Sequence, residues 1–129
     1  MSDEGRIFIL TGPNSGGKTT YIQAVGALQI MFQAGVFIPC GKAWLSPVDN
    51  LYTHFPAEEK TGMDAGRLGE ESKRFNGIFK IATRYSLVIL NESFTSTSFT
   101  ESFYLPRDIV CALRYLGARA LFATHLHEL

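Results

Sequence analysis

Apolar residues follow two different spacings along this 129-residue chain. Continuous apolar runs predict buried strands at RIFIL (6–10), SLVIL (86–90) and ALFAT (120–124). Helical spacing runs through YIQAVGALQIMFQAG (21–35) and RLGEESKRFNGIFKIAT (67–83). Strands that alternate with helices indicate an α/β fold with a mainly parallel sheet flanked by helices.

The first predicted helix is apolar on more than one side. One helical stripe carries Tyr21, Val25, Leu28 and Phe32, and most other sides carry Ile22, Ala24, Ala27, Ile30 and Met31. A helix of this kind is expected to be buried on several faces. Gly35 is its expected stop signal, and VFIPC (36–40) should be extended because Ile38 precedes a proline.

The remaining segments are less regular. Between Gly41 and Gly66 we expect loops and short strand pieces such as NLYTHF (50–55), because prolines and turn-forming residues interrupt the pattern. SFTE (98–101) fits a capping box that opens a third helix, and Pro106 should kink or delay that helix.

Composition limits the class of protein. A chain of 129 residues with 46% apolar content can bury one core, so residues 1–129 are expected to form a single domain or part of one, with 1–5 an added or flexible start. Twelve basic residues balance twelve acidic ones, so no strongly positive face is predicted. Cys40 and Cys111 are interpreted as reduced core residues. No apolar stretch is as long as a membrane span and the start is polar, which favours a cytoplasmic protein.

The strongest chemical signal is GPNSGGKT at 12–19, which fits G-x-x-x-x-G-K-[ST] between a predicted strand and a predicted helix. The glycines let backbone N–H groups converge on phosphate oxygens at the positive end of the helix. Lys18 can reach the β- and γ-phosphates of ATP, and Thr19 offers a hydroxyl to Mg²⁺. The alternative is a turn that only connects strand to helix. The predicted ATP/ADP site comprises Gly12, Pro13, Asn14, Ser15, Gly16, Gly17, Lys18, Thr19 and Thr20.

Polar residues also close two of the predicted strands. In nucleotide hydrolases an acid at the end of an apolar strand holds Mg²⁺, and a neighbouring group orients the attacking water. Here SLVIL ends in Asn91 and Glu92, and ALFAT ends in His125. We predict that Asn91 and Thr19 hold Mg²⁺ and that His125 contacts a γ-phosphate, the alternative for His125 being a hydrogen-bonded residue at a strand end. The other histidines, His54 and His127, are interpreted as surface or packing residues.

Four segments resemble the ATPase domain of the MutS family of DNA mismatch repair proteins, which belongs to the ABC-type ATPases. They are TGPNSGGKTTYIQAVGALQ (11–29), AGVFIPC (34–40), YSLVILNESFTSTS (85–98) and LFATHLHEL (121–129). The resemblance covers the chain from about Ile7 to Leu129. Its patterns TGPN-x-GGK and FATH-x-HEL are narrower than a generic phosphate-binding loop.

The resemblance implies a P-loop NTPase fold of the ABC type, with ALFAT between RIFIL and SLVIL and the domain cut short at its C-terminal end. It implies that Asn14, Gly17, Lys18 and Thr19 bind ATP and Mg²⁺, that Glu92 is the general base, and that His125 senses the γ-phosphate. Family members are dimers on double-stranded DNA, in which a signature segment of one subunit covers the nucleotide of the other. DNA contacts are expected mainly outside this chain, which should dimerise poorly by itself.

Three departures separate the chain from the family pattern, and they indicate a divergent branch. Asn91 occupies a position where the family usually has aspartate, and Phe94 and Thr95 replace glycine-rich sequence. Gly66, Arg67 and Leu68 occupy the place of a Ser-Thr-Phe segment, although Ser72 follows one turn later. We expect slow turnover, because an amide holds Mg²⁺ less strongly than a carboxylate.

Two classes of function stay open. The first is a working ATPase that couples its nucleotide state to a DNA clamp, in mismatch repair or a related process. The second is a nucleotide-binding dimerisation scaffold with little hydrolysis and no role in mismatch repair. Lys18, Thr19, Glu92 and His125 favour the first class, whereas Asn91 and the altered signature segment favour the second. A small-molecule kinase is disfavoured because the sequence shows no substrate lid or acceptor site.

Overall fold

The computed structural model describes residues 6–13, 17–55, 64–91 and 99–124, without the side chains of 64–72 and 99–106. Strands alternate with helices along these residues, as predicted. The strands are β1 (Ile7–Thr11), β2 (Leu51–His54), β3 (Leu87–Asn91) and β4 (Arg119–Thr124), and the helices are α1 (Lys18–Gln33), α2 (Asp64–Ile81) and α3 (Phe99–Leu116).

The strands in the described part of the chain form one parallel sheet in the order β1-β4-β3-β2. On one side β4 pairs with β1, from Ile7 opposite Ala120 to Thr11 opposite Thr124. On its other side it pairs with β3, where Asn91 lies opposite Ala123. The predicted position of β4 between β1 and β3 is therefore confirmed, together with the α/β class and its parallel sheet.

Two apolar clusters lie on opposite faces of this sheet. Side chains alternate along β3, so Leu90 points to one face and Ile89 to the other. Helices α2 and α3 cover the first face and α1 covers the second, which leaves β3 buried along its whole length. The first cluster contains Phe75, Val88, Leu90, Ile109, Leu113, Ala118, Ala120 and Phe122, and the second contains Ile22, Leu87, Ile89 and Ala123.

Helix α1 contacts the sheet with one stripe, so the expectation that it is buried on several faces is wrong for the described residues. The buried residues are Lys18, Ile22, Gly26 and Gln29, at helical spacing. A Cβ at Gly26 would lie 3.2 Å from Ile89 Cδ1, so this glycine allows the helix to approach the sheet closely. Tyr21 and Ile30 remain 57% and 59% exposed. Hydrophobicity did not identify the contacting face, because close approach and hydrogen bonding select a glycine and a glutamine there.

Two glutamines of α1 form hydrogen bonds with the segment that precedes β2. Gln29 Nε2 donates a hydrogen bond to Ser46 O at 3.0 Å. Gln33 Nε2 donates to Val48 O at 3.1 Å, and Gln33 Oε1 accepts from Val48 N at 2.9 Å. These bonds satisfy backbone groups that have no strand partner, so the segment stays ordered without regular secondary structure. The prediction of loops before a short strand within NLYTHF is confirmed by this segment and β2.

The ends of the helices agree only partly with expectation. Gly35 follows α1 with φ 75°, a left-handed conformation that favours glycine, so the predicted stop signal is confirmed. Helix α2 begins at Asp64, inside the predicted turn-rich segment. Helix α3 begins at Phe99, ahead of Pro106, so the proline does not delay it. Ser98, the predicted cap of α3, lies outside the described residues.

The interpretation of both cysteines as core residues is wrong. Cys40 and Cys111 are free and exposed. Cys40 lies in the irregular segment after α1, and Cys111 lies on α3 beside the buried positions Ile109 and Leu113 without joining their cluster. Among the residues that the structure describes, no helix combines the length and hydropathy needed to cross a bilayer.

Candidate functional site

The candidate residues that the structure describes meet at the carboxyl edge of the sheet. Parallel strands all end at this edge, where Asn91 closes β3 and Thr124 closes β4. Helix α1 begins at the same edge, because only residues 12–17 separate the end of β1 from Lys18. In open parallel sheets ligands bind outside the carboxyl ends of the strands. The fold therefore brings the glycine-rich turn and the end of β3 together.

Glycine is required at the last residue of this turn. Gly17 has φ 83° and ψ 13°, a left-handed conformation that costs a residue with a side chain about 1–2 kcal/mol. The first helical hydrogen bond of α1 runs from Tyr21 N to Gly17 O at 3.0 Å. The amides between them therefore have no partner within the helix. Among the described residues no side chain caps the start of α1, and its first turn contains no acidic residue, so this end keeps the partial positive charge that attracts anions.

Lys18, the first residue of α1, is buried and only 6% exposed. Its Nζ donates hydrogen bonds to Gly12 O at 2.5 Å and to Pro13 O at 3.0 Å. Hydrogen bonds are what make a buried ammonium tolerable. A cleft of about 310 Å³ opens beside the lysine. The residues that line the cleft are Leu10, Thr11, Gly12, Pro13, Gly17, Lys18 and Tyr21.

Thr19 and Asn91 are in contact although 72 residues separate them in the sequence. Asn91 Nδ2 donates a hydrogen bond to Thr19 Oγ1 at 3.2 Å, and Asn91 Oδ1 lies 3.5 Å from the same hydroxyl. Asn91 is only 6% exposed. Its side chain points to the α1 face of the sheet because Leu87 and Ile89, at alternate positions of β3, also do. Both predicted magnesium ligands therefore lie together.

Two further buried polar residues lie at this edge, and no chemical role was predicted for either. Thr124 ends β4 and is 1% exposed. His54 ends β2 and is fully buried, so its interpretation as a packing residue is confirmed. Burial, with a smaller effect from the positive charge of Arg74, lowers the pKa of His54 to about 4, so its imidazole is neutral at neutral pH. The sequence offered one signal for both Thr124 and His54, because each is a polar residue at the end of an apolar strand.

The other residues singled out from the sequence lie on α1, on α2 or outside the described residues. Thr20 lies on α1 and is exposed. The backbone of Gly66, Arg67, Leu68 and Ser72 belongs to α2. Asn14, Ser15, Gly16, Glu92, Phe94, Thr95, His125 and His127 lie outside the described residues.

These features define a class: parallel α/β domains in which a glycine-rich turn leads from the first strand into a helix headed by lysine, beside a polar residue that closes a neighbouring strand. Residues 8–129 match the family model described as MutS domain V. The chain belongs to the MutS family.

Relatives from bacteria and fungi match almost the whole chain. It is 35% identical over 130 residues to the DNA mismatch repair protein MutS of Clostridium perfringens, which covers 98% of this chain and 14% of that protein. It is 36% identical over 128 residues to the DNA mismatch repair protein msh-2 of Neurospora crassa, covering 98% of this chain and 14% of that protein. It is 37% identical over 129 residues to the DNA mismatch repair protein MSH2 of Saccharomyces cerevisiae, covering 99% of this chain and 13% of that protein. The chain thus spans a small part of the length of these relatives.

Proposed function

We propose that this chain is an ATP-binding domain of a MutS-like protein, with a P-loop NTPase fold of the ABC type. The observation that carries the proposal is the contact between Thr19 at the start of α1 and Asn91 at the end of β3, directly beside the buried Lys18. A glycine-rich turn that only connected strand to helix would not require a buried lysine next to this pair. Membership of the MutS family supports the same function.

The turn and Lys18 would bind the phosphates. The first backbone amides of α1 have no acceptor within the helix and can donate to phosphate oxygens. The Lys18 ammonium already donates to the carbonyls of Gly12 and Pro13, the first two residues of the glycine-rich segment. These two neutral acceptors can be exchanged for phosphate oxygens, and charge-assisted hydrogen bonds are about twice as strong as neutral ones. Phosphate binding therefore requires Lys18 to move only within its present surroundings.

Thr19 and Asn91 fit a magnesium ion through oxygen ligands. Mg²⁺ prefers oxygen, and it usually keeps several waters that protein groups contact indirectly. The Thr19 hydroxyl has two lone pairs, so it can accept from Asn91 Nδ2 and still coordinate a cation. Asn91 offers its carbonyl oxygen, directly or through a bound water. Bound Mg²⁺ would neutralise charge on the phosphates.

Hydrolysis and DNA coupling extend the proposal beyond the described residues. Glu92 follows Asn91 directly and would act as general base, and His125 follows Thr124 and would sense the γ-phosphate. Similarity to DNA mismatch repair proteins supports a full-length protein that dimerises on double-stranded DNA and couples ATP to a DNA clamp. A nucleotide-binding scaffold is the second candidate, favoured by one observation: the group facing Thr19 is a neutral amide, which holds Mg²⁺ less strongly than a carboxylate.

Titration calorimetry of ATP with Mg²⁺ tests the binding site. Lys18→Ala removes the cation that faces the phosphates and should weaken binding about ten- to hundredfold, the equivalent of about 1.5–3 kcal/mol for hydrogen bonds to a charged group. The matched control is Lys73→Ala, which removes an exposed lysine from α2 and should leave the affinity unchanged. Equal affinities for wild type and Lys18→Ala would exclude this site.

A further inference from the structure

The opposite, amino edge of the sheet brings three separate parts of the chain together. Arg6, just before β1, donates from Nη1 to Gly117 O at 3.0 Å and to Arg84 O at 3.4 Å. A Cβ at Gly117 would lie 3.6 Å from Arg84 Cβ, so the loop after α2 packs against the loop after α3. Helices α2 and α3 both end at this edge, since each leads into the first residue of an inner strand.

Positive charge collects at this amino edge although the chain as a whole is neutral. Lys80, Arg84 and Arg114 are exposed and Arg119 is half-buried. We call these four residues the basic edge. The acidic residue described beside them is Asp49, whose carboxylate accepts hydrogen bonds from Ser86 Oγ at 2.6 Å and from Thr83 Oγ1. These bonds lower the pKa of Asp49, so it carries one negative charge against the four positive ones and that of Arg6.

Stabilisation of helix ends explains the presence of only two of the four residues of the basic edge. Lys80 and Arg114 lie in the last turns of α2 and α3, where a cation typically contributes about 0.3–1 kcal/mol. Arg84 and Arg119 lie outside the helices. Two tyrosines also lie here with their rings in solvent, Tyr85 at 65% and Tyr115 at 94% exposure. The Arg84 guanidinium lies 5.4 Å from the centroid of the Tyr85 ring.

We propose that the basic edge binds a single-stranded nucleic acid. Lys80, Arg84, Arg114 and Arg119 would neutralise phosphates, and the exposed rings of Tyr85 and Tyr115 offer flat surfaces on which bases stack. An acidic protein would use the cations but would leave the two tyrosine rings without a purpose. The proposal is independent of the ATP site, which lies at the other end of the strands, so both sites can be occupied together.

Fluorescence anisotropy with a labelled oligothymidine of about 20 nucleotides tests the proposal on this chain at low salt. Lys80→Glu with Arg114→Glu should weaken binding at least tenfold. The matched control is Lys73→Glu with Arg107→Glu, which reverses one lysine and one arginine on the same helices, two turns from the basic edge. The control has the same net charge and should weaken binding by no more than about threefold, because only screened, long-range attraction changes.

Three further measurements sharpen the test. Contacts to four phosphates predict that the logarithm of affinity falls with the logarithm of salt concentration with a slope of about −3. Tyr115→Ala should weaken binding of the single strand at least fivefold while leaving duplex binding unchanged, since paired bases cannot stack on the ring. Arg84→Gln should also weaken binding. Because Arg84 lies outside both helices, this variant tests the proposal even if the variants at the helix ends unfold. Circular dichroism detects such unfolding.

Four outcomes would overturn the proposal. The first is that the wild-type chain does not bind the oligonucleotide at low salt, and the second is that both charge-reversed double variants lose the same amount of affinity. The third is that Tyr115→Ala leaves the affinity for the single strand unchanged. The fourth is that polyglutamate competes for the site as well as oligothymidine does. The last result would assign the basic edge to an acidic protein.

Discussion

Replacing Asn91 with aspartate should strengthen Mg²⁺ binding at the ATP site. Thr19 Oγ1 lies 3.5 Å from Asn91 Oδ1, so even an ion that the hydroxyl held on its far side, at about 2 Å, would lie within roughly 5 Å of the new carboxylate. At that distance one negative charge and a divalent ion attract by about 1.7 kcal/mol in bulk water and by about 7 kcal/mol at an effective dielectric constant of 20. Removing the carboxylate from water costs several kcal/mol, because this position is only 6% exposed.

The expected net gain is about 1.4–2.8 kcal/mol, which lowers the Mg²⁺ concentration for half-maximal ATP binding about ten- to hundredfold. Calorimetry of ATP binding at stepped Mg²⁺ concentrations measures this value. The matched control is Asn76→Asp, the same change at an exposed position of α2, which should leave the Mg²⁺ requirement unchanged. If Asn91→Asp also left it unchanged, Asn91 would not lie near the ion, and the assignment of the Thr19 and Asn91 pair as magnesium ligands would be refuted.

Two further predictions concern Glu92 and His54. In the full-length protein, Glu92→Gln should leave ATP binding intact and abolish turnover, because an amide cannot accept a proton from the attacking water. If the variant hydrolysed ATP at the wild-type rate in a steady-state assay, Glu92 would not be the general base, and the nucleotide-binding scaffold would be favoured. The pKa of His54 is lowered from 6.5 to about 4 in the folded chain, so its contribution to stability is fully present above pH 6.5 and is lost as the pH falls toward 4. Thermal unfolding of wild type and His54→Leu is measured from pH 7 to pH 4. The free energy of unfolding should fall less in the variant than in wild type, by at most about 3 kcal/mol. Equal falls in the two proteins would contradict the assigned pKa.

The sheet could be predicted because its signals are local. Continuous apolar runs that end in polar residues identified β1, β3 and β4, and the glycine-rich turn identified the start of α1. Parallel pairing then forces strand ends together, which is why the contact between Thr19 and Asn91 followed from sequence. The position of β4 between β1 and β3 required the family resemblance, since apolar runs carry no information about strand order.

Burial on α1 could not be predicted because the deciding properties were shape and hydrogen bonding. Apolar residues surround this helix, yet the sheet contacts the stripe that contains Gly26 and Gln29. The glycine admits Ile89 at close range, and the glutamine satisfies the backbone at Ser46. Neither contact is visible until the helix is placed on the sheet.

The basic edge escaped sequence analysis for a different reason. Equal numbers of acidic and basic residues suggested that no strongly positive face exists. Arg84 and Arg119 are far apart in the chain and lie at the same edge of the sheet because β3 pairs with β4, where Arg119 is opposite Leu87. Net charge therefore says little about a surface that is assembled from several loops.

A nitrogen–proton correlation spectrum of the labelled chain, titrated with ATP and Mg²⁺, tests the central claim most directly: nucleotide phosphates bind at the turn between β1 and α1. The largest saturable shifts should fall on the backbone amides of Gly12, Gly17, Lys18 and Thr19 and on the side-chain amide of Asn91, and Lys18→Ala should remove them. Shifts concentrated instead at Arg84 and Gly117, or equal titrations of wild type and Lys18→Ala, would contradict the claim.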